Sequence, residues 1–342
     1  MVDAVTSSRS HDASGPIDRG LDWSPHGQGS ICGVPGVRVG HSTIVDGDAR
    51  TGVTAIVPDP MPTPHHRLPC ALFVGNGHGK LIGATQVGEL GTLETPIVLT
   101  NTLSSFLAAD TLVSWMLERP DCADVVTLNP VVAECNDSWL SDIRGRHVTA
   151  AHVREALDRA STDCAQGAVG AGTGMRALGF KGGIGTASRR TAAGHTLGVL
   201  ALSNFSGVLR LEGLPIDPAD DAEPQGNSCI LVVATDAPVD ARQLGRIARR
   251  AVFAMGTVGA DYRHGSGDYG LAFSLTTQQP ALADEELDPM FEAVIGAAHA
   301  ALISSLWHAP TMIGHDGHTA YGLRETLRNR SFALSDDPRT NA

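Results

Sequence analysis

Eight short runs of β-branched and apolar residues, each bounded by Gly or Pro, punctuate this chain at 53–57, 71–74, 97–100, 125–128, 196–202, 208–211, 229–235 and 271–276. Such runs read as strands. Helical periodicity falls between them. It carries Leu103, Phe106, Leu107, Leu112, Trp115 and Met116 over 102–118. It carries Leu244, Ile247, Ala248, Ala251 and Val252 over 241–255, with Asp240 as the candidate N-cap. A third helix, 285–308, has an apolar face from Met290 to Leu306 and Pro289 within its first turns. The order is not a repeated strand–helix–strand alternation. The chain is therefore expected to form sheets covered by helices, and not a doubly wound parallel sheet.

Composition narrows the function. With 342 residues, 42% of them hydrophobic, the chain can bury a large core. Aromatic residues amount to only 4% and the net charge is −12, which argues against a nucleic-acid partner: phosphate binding needs clustered Lys and Arg, and single strands need aromatic stacking. No apolar run approaches membrane-spanning length, so no membrane partner is expected. Residues 1–29, rich in Ser, Asp, Gly and Pro, lack the apolar stretch of a signal peptide and read as a flexible extension before a single domain, 30–342. Six cysteines without a C-x-x-C pair, in a chain too long to need disulfide staples, point to a reducing, cytoplasmic setting.

The segment P-Q-G-N-S-C-I-L-V-V-A-T-D-A-P, from Pro224 to Pro238, carries the most chemistry. A polar loop runs directly into Ser228, which opens a hydrophobic strand. The tripeptide alone is an ordinary turn-to-strand boundary, since Gly and Asn tolerate positive φ. If the Asn227–Ser228 bond is cut, however, Ser228 holds a hydroxyl nucleophile and a free α-amine on one residue. An α-amine titrates near pH ~8 and can serve as general base for its own side chain. The preceding stretch, 213–226, has three prolines and four acids in 14 residues and reads as an exposed loop ending at that bond. Exposure is what a cleavable, strained peptide is expected to need.

Other segments supply candidate partners. Ser266 and Asp268 stand two residues apart in H-G-S-G-D, which in an extended strand puts both on one face, where they could hydrogen-bond the Ser228 amine and hydroxyl; an Asx-type turn is the alternative. Asn204 follows a strand and offers an uncharged amide donor suited to an oxyanion hole, or serves a turn. Glu134 follows an apolar run in N-P-V-V-A-E-C-N-D, where a carboxylate must meet a cation: a substrate ammonium, or Arg144 or Arg146. The glycine-rich stretch 167–188 satisfies neither G-x-x-x-x-G-K-[ST] nor G-x-G-x-x-G after a strand, and reads as close backbone packing near a site. Among 14 histidines, the nearest clusters, His65–His66 and His315 with His318, match no zinc framework, so neither a metal nor another cofactor is expected.

Taken in order, these segments resemble a known family. G-V-P-G-V-R-V-G-H (33–41), L-T-N-T (99–102), P-V-V-A-E-C-N-D (130–137), G-A-G-T-G with G-F-K-G-G-I-G-T-A-S-R, G-N-S-C-I-L-V-V-A-T-D-A-P and H-G-S-G-D are together similar to the L-aminopeptidase/D-esterase family, which includes D-aminopeptidases and β-peptidyl aminopeptidases. The resemblance spans roughly residues 30–320. It implies an α/β fold of the α+β kind: a four-layer αββα sandwich like that of N-terminal-nucleophile hydrolases, with different connectivity. It implies a zymogen that cuts itself into an α-chain, 1–227, and a β-chain, 228–342. It gives Ser228 the role of nucleophile, Asn204 that of oxyanion donor, and Ser266 with Asp268 that of support for the nucleophile. Glu134 would hold the substrate's free amine, and Asn136 would border the oxyanion or the pocket. Some members have Glu at the position of Asp268 and Tyr at that of Asn136. Homo-oligomers, tetramers among them, are the family's usual state.

The function expected is that of a serine aminopeptidase releasing N-terminal residues from short peptides, amides or esters with a free amino group. Two rivals stand beside it. One is an amidase of the same fold acting on synthetic amide oligomers, against which Ser in place of Thr at 228 weighs. The other is a ligand-binding relative that has lost the chemistry.

Overall fold

A computed structural model describes residues 29–218, 227–277 and 279–335, with side chains to Arg330. The N-terminal stretch 1–28 and residues 219–226 of the acidic loop lie outside the described residues. The strands in chain order are β1 (Val37–Asp46), β2 (Ala49–Pro58), β3 (Leu68–Gly77), β4 (Leu81–Ile82), β5 (Thr92–Leu93), β6 (Ile97–Asn101) and β7 (Val131–Cys135). A short hairpin follows, β8 (Arg176–Ala177) with β9 (Phe180–Lys181), then β10 (Gly183–Arg190) and β11 (Thr196–Asn204). A second hairpin, β12 (Arg210–Leu211) with β13 (Leu214–Pro215), leads to β14 (Asn227–Thr235) and β15 (Ser266–Ser274). The helices are α1 (Ala84–Leu90), α2 (Ser105–Leu117), α3 (Ala150–Asp158), α4 (Ala241–Thr257), α5 (Asp288–Trp307) and α6 (Leu323–Ser335).

Two mixed sheets form, in the orders β1-β2-β6-β7-β4 and β10-β11-β14-β15-β3-β5. Three apolar clusters show how they stack. Leu112, Val153 and Ala156 of α2 and α3 pack on Val53, Ala55 and Val98 of the first sheet. That sheet's other face, with Leu99, Val131 and Ala133, meets Leu202, Ile230, Val232 and Leu271 of the second. The far face of the second sheet, with Leu231 and Val233, packs on Leu244, Ile247, Val294 and Leu302 of α4 and α5. The result is the expected α–β–β–α sandwich. Strand β14 lies inside it with all nine residues buried, which its unbroken apolar run requires.

Local signals account for most elements. Asp240 caps α4 as expected: its carboxylate accepts from Gln243 N at 2.7 Å, and Gln243 Oε1 accepts from Asp240 N at 3.2 Å. Pro289 sits in the first turn of α5. The glycine-rich stretch runs into β10, where a Cβ on Gly185 would stand 1.9 Å from Ala301 O, so α5 rests directly on strand backbone.

Three expectations are corrected. Residues 125–128 are not a strand; Val126 is 97% exposed, and β6 pairs directly with β7, leaving the run no neighbour to bond. Within 208–211 only Arg210–Leu211 is extended, paired to a two-residue partner. Among the described residues one segment, Asp284–Trp307, is long and apolar enough to cross a membrane, with mean hydropathy 1.4, but 72% of its apolar 18-residue window is buried against the protein itself. It is a core helix.

Candidate active site

Ser228 is the second residue of β14. Its antiparallel neighbour on β11 is Asn204, and its parallel neighbour on β15 is Gly267. Side chains of paired residues share a face and alternate along each strand. Ser228, Ile230 and Val232 therefore point into the space between the sheets, with Gly267, Tyr269 and Leu271 beside them. Asn227 and Cys229, with Ser266 and Asp268, point to the opposite face, toward α4 and α5.

This register decides what each candidate can reach. The Ser228 hydroxyl donates to the carbonyl of Asn227 in a short contact and accepts from Gly267 N at 3.3 Å. Ser266 Oγ donates to Asp268 Oδ1 at 2.7 Å, so these two share a face, as their i, i+2 spacing in a strand requires. That face is not the one bearing the Ser228 hydroxyl. Asp268 adjoins Cys229 instead. Burial pushes its pKa up to about 6, although Ser266 and the Cys229 backbone hydrogen-bond the carboxylate and oppose the shift.

The exposure expected at the Asn227–Ser228 bond is also corrected. Asn227 is 8% and Ser228 4% exposed, because both already belong to the central strand. Asn227 Oδ1 is buried without a hydrogen-bond partner among the described residues.

Asn204 lies against Ser228 with its amide held at both ends. Its Nδ2 donates to Asn136 O at 2.8 Å, and its Oδ1 accepts from Arg176 N at 3.0 Å. Asn136 thus meets the site through its backbone carbonyl, while its side chain accepts from Ser138 N at 2.9 Å in a local turn.

Glu134 reaches the site from the other sheet. It is buried on β7, and its Oε1 accepts from Lys80 N at 2.9 Å while Thr102 Oγ1 donates to Oε2 in a short contact. Its cation is Lys80, with Nζ 3.7 Å from Oε1, and not Arg144 or Arg146. The turn 77–80 ties the carboxylate to Ser228's strand neighbour. A Cβ on Gly267 would stand 2.8 Å from Gly79 Cα and N, and a Cβ on Gly79 would stand 3.4 Å from Glu134 Oε1. The Tyr269 hydroxyl clamps this turn, donating to Gly79 O at 2.8 Å and accepting from Gly79 N at 3.2 Å.

Lys80, Thr102, Tyr269 and the Gly79–Gly267 contact were not singled out by sequence reasoning. The motif L-T-N-T ends on Thr102 and could have flagged it; nothing local marks Lys80. The histidine clusters lie apart from one another: His65 pairs with Asp124 at 3.0 Å, His315 lies 3.6 Å from Asp48, and His318 stacks on Trp139 at 4.0 Å. Among the described residues no group of three or more His, Cys, Asp or Glu could hold a metal ion.

Comparison with known proteins bears on this arrangement. The family model described as peptidase family S58 matches residues 29–320. The chain is 34% identical to the beta-peptidyl aminopeptidase BapA of Sphingosinicella xenopeptidilytica, over 93% of this chain and 91% of that one. Among solved structures, the PH0078 protein of Pyrococcus horikoshii OT3 superposes with a TM-score of 0.82 at 41% identity, over 91% of this chain and 96% of that one. The L-aminopeptidase D-Ala-esterase/amidase of Ochrobactrum anthropi, described as a prototype of the serine aminopeptidases and a new variant among the Ntn hydrolase fold, superposes with a TM-score of 0.79 at 32% identity, over 90% and 94% of the two chains.

Proposed function

The chain belongs to peptidase family S58 and is a hydrolase of the aminopeptidase type; on that premise we propose that it is made as a precursor, that it cuts itself between Asn227 and Ser228, and that the freed Ser228 is its nucleophile. The observation that carries this reading is the contact between the Ser228 hydroxyl and the carbonyl of Asn227, inside a buried strand. A separate protease has no access there, whereas Oγ lies beside the peptide to be broken.

In maturation Oγ attacks the Asn227 carbonyl carbon, the peptide C–N bond breaks as its nitrogen gains a proton, and the acyl group rests on Oγ as an ester. Water then hydrolyses the ester, leaving the Asn227 carboxylate on an α-chain, 1–227, and a free amine on Ser228 at the head of a β-chain, 228–342. In turnover that amine takes the proton from Oγ as Oγ attacks the substrate carbonyl. Asn204 Nδ2, uncharged and adjacent to Ser228, stabilises the oxyanion together with a backbone N–H. The acyl-enzyme is released by water. Ser266 and Asp268 face away from the hydroxyl, so their service is assigned to the Ser228 amine, a backbone group that belongs to neither face of the sheet. Glu134 selects substrates with a free amino group, its carboxylate accepting the ammonium alongside Lys80. Asn136 contributes its carbonyl to the wall of the pocket.

The substrates are short peptides, amides or esters, and the relatives' names extend the choice to β-residues and D-alanyl esters. A single catalytic domain over 30–342, assembly into a homo-oligomer and a reducing cytoplasmic setting complete the proposal. Intact-mass spectrometry tests it. The wild-type chain should yield two fragments meeting at Asn227/Ser228, and Ser228→Ala a single inactive chain; two fragments from the variant would sink the reading.

A further inference from the structure

Lys181 is fully buried in β9, the partner of Arg176 across the β8–β9 hairpin. Its ammonium donates to three backbone carbonyls: Gly172 at 3.1 Å, Met175 at 2.9 Å and Gly182 at 2.7 Å. The Met175 carbonyl belongs to the same peptide unit as the Arg176 N–H, and that N–H donates to Asn204 Oδ1 at 3.0 Å. The line of bonds therefore runs from the lysine through one peptide to the side chain that adjoins Ser228.

We propose that Lys181 is a positioning residue for the oxyanion donor: it grips the Met175–Arg176 peptide by its carbonyl so that the N–H of that peptide holds Asn204 Oδ1 and turns Nδ2 toward the reacting carbonyl. The inference rests on the role given to Asn204 above. An Asn amide is nearly symmetric in shape, and only the donor or acceptor it meets decides which end points where. The Arg176 N–H demands Oδ1 and the Asn136 carbonyl takes one Nδ2 hydrogen, which leaves the second Nδ2 hydrogen for the site. A cation on the far side of that peptide also polarises it, and hydrogen bonds in a chain strengthen one another in a low-dielectric interior. Burial lowers the Lys181 pKa to about 7, so the buried charge is costly, and an apolar side chain would fill the same space without that cost.

A double-mutant cycle separates this role from simple tying of the 172–182 turn. The probes are α- and β-aminoacyl p-nitroanilides, with kcat expressed per mole of cut chain. Losing an oxyanion donor costs about 10²–10³ in kcat, so losing only its support should cost about tenfold. Lys181→Met is expected to lower kcat about tenfold with KM changed by less than about twofold. In an Asn204→Ala background the same change should lower kcat by less than about twofold. Equal losses in both backgrounds, or an undiminished kcat in Lys181→Met while Asn204→Ala falls, would overturn the inference. A wild-type kcat in Asn204→Ala would instead overturn the oxyanion reading beneath it. Should Lys181→Met not fold, Lys181→Gln, which keeps N–H donors but loses the charge that polarises the peptide, is put through the same cycle: a fall in kcat of about threefold that vanishes in the Asn204→Ala background is expected, and an equal fall in both backgrounds, or none, would overturn the inference.

Discussion

Ser228 and Gly267 stand side by side in the parallel pairing of β14 and β15, and the Gly267 N–H donates to Ser228 Oγ at 3.3 Å. Gly267 has no side chain because the turn at Gly79 occupies that space, and the same turn carries the Lys80 N–H that holds Glu134. The nucleophile and the proposed amine-binding carboxylate are thus joined through a glycine–glycine contact between strand and turn.

Gly267→Ala should break this link. Its Cβ would meet Gly79 backbone at 2.8 Å, and a turn clamped by Tyr269 can yield only by moving away. The expected cost is about 1–3 kcal/mol of stability from overpacking. Turnover should fall at least about tenfold from displaced geometry. Denaturation midpoints and kinetics on the cut enzyme would check both; full activity would mean that the turn does not set the site.

Asp268→Asn tests the buried carboxyl. Burial raises its folded-state pKa above the usual carboxylate range, so the folded chain binds more protons than the unfolded one and loses stability as pH rises toward about 6, with the penalty persisting above. Asn cannot ionise. In an uncut Ser228→Ala background, Asp268→Asn should gain about 1–3 kcal/mol relative to its parent at about pH 8 and little at about pH 4. Urea midpoints at the two pH values decide, and equal differences at both would refute the assignment. In the self-cleaving chain the same change should slow turnover.

Glu134→Gln should act mainly on substrate binding. The carboxylate already balances Lys80 and takes hydrogen bonds from Lys80 N and Thr102, so the amide would lose both the charge and one acceptor. KM for a free-amine anilide should rise about tenfold or more, in line with a lost charge-assisted contact worth about 1.5–3 kcal/mol. A substrate without the amine should be turned over equally by both enzymes. A selective fall in kcat alone would assign Glu134 a different task.

Asp240→Ala removes the cap of α4, the helix behind the face that bears Asp268. Its reciprocal bonds with Gln243 satisfy two end groups, and their loss should cost about 1 kcal/mol without altering KM. Thermal unfolding compared with steady-state kinetics would check this; a shift in KM would couple the cap to the site.

Much of this molecule was legible in its chain because strand and helix periodicities are local. The runs at 196–202, 229–235 and 271–276 became β11, β14 and β15, and Asp240 and Pro289 mark their helices where capping chemistry puts them. The misses have a common cause. Residues 125–128 have a strand's composition but no neighbouring strand, while β10 has a glycine-rich composition and pairs with β11 because α5 needs bare backbone to rest on. In both cases the partner, not the segment, decided.

The sequence by itself determined the layered class of fold, the serine placed at the head of an apolar strand and the i, i+2 pair Ser266 and Asp268. All of these depend on residues within a few positions of one another. Tertiary structure alone decided that the Ser228 hydroxyl faces the gap between the sheets while Ser266 and Asp268 face the helices, and that Glu134 meets Lys80. It also decided that Lys181 and Asn204 grip opposite ends of one peptide. The reason is register: a side chain's face is set by which distant strand pairs with it and at which residue, and a shift of one position would reverse every one of these assignments.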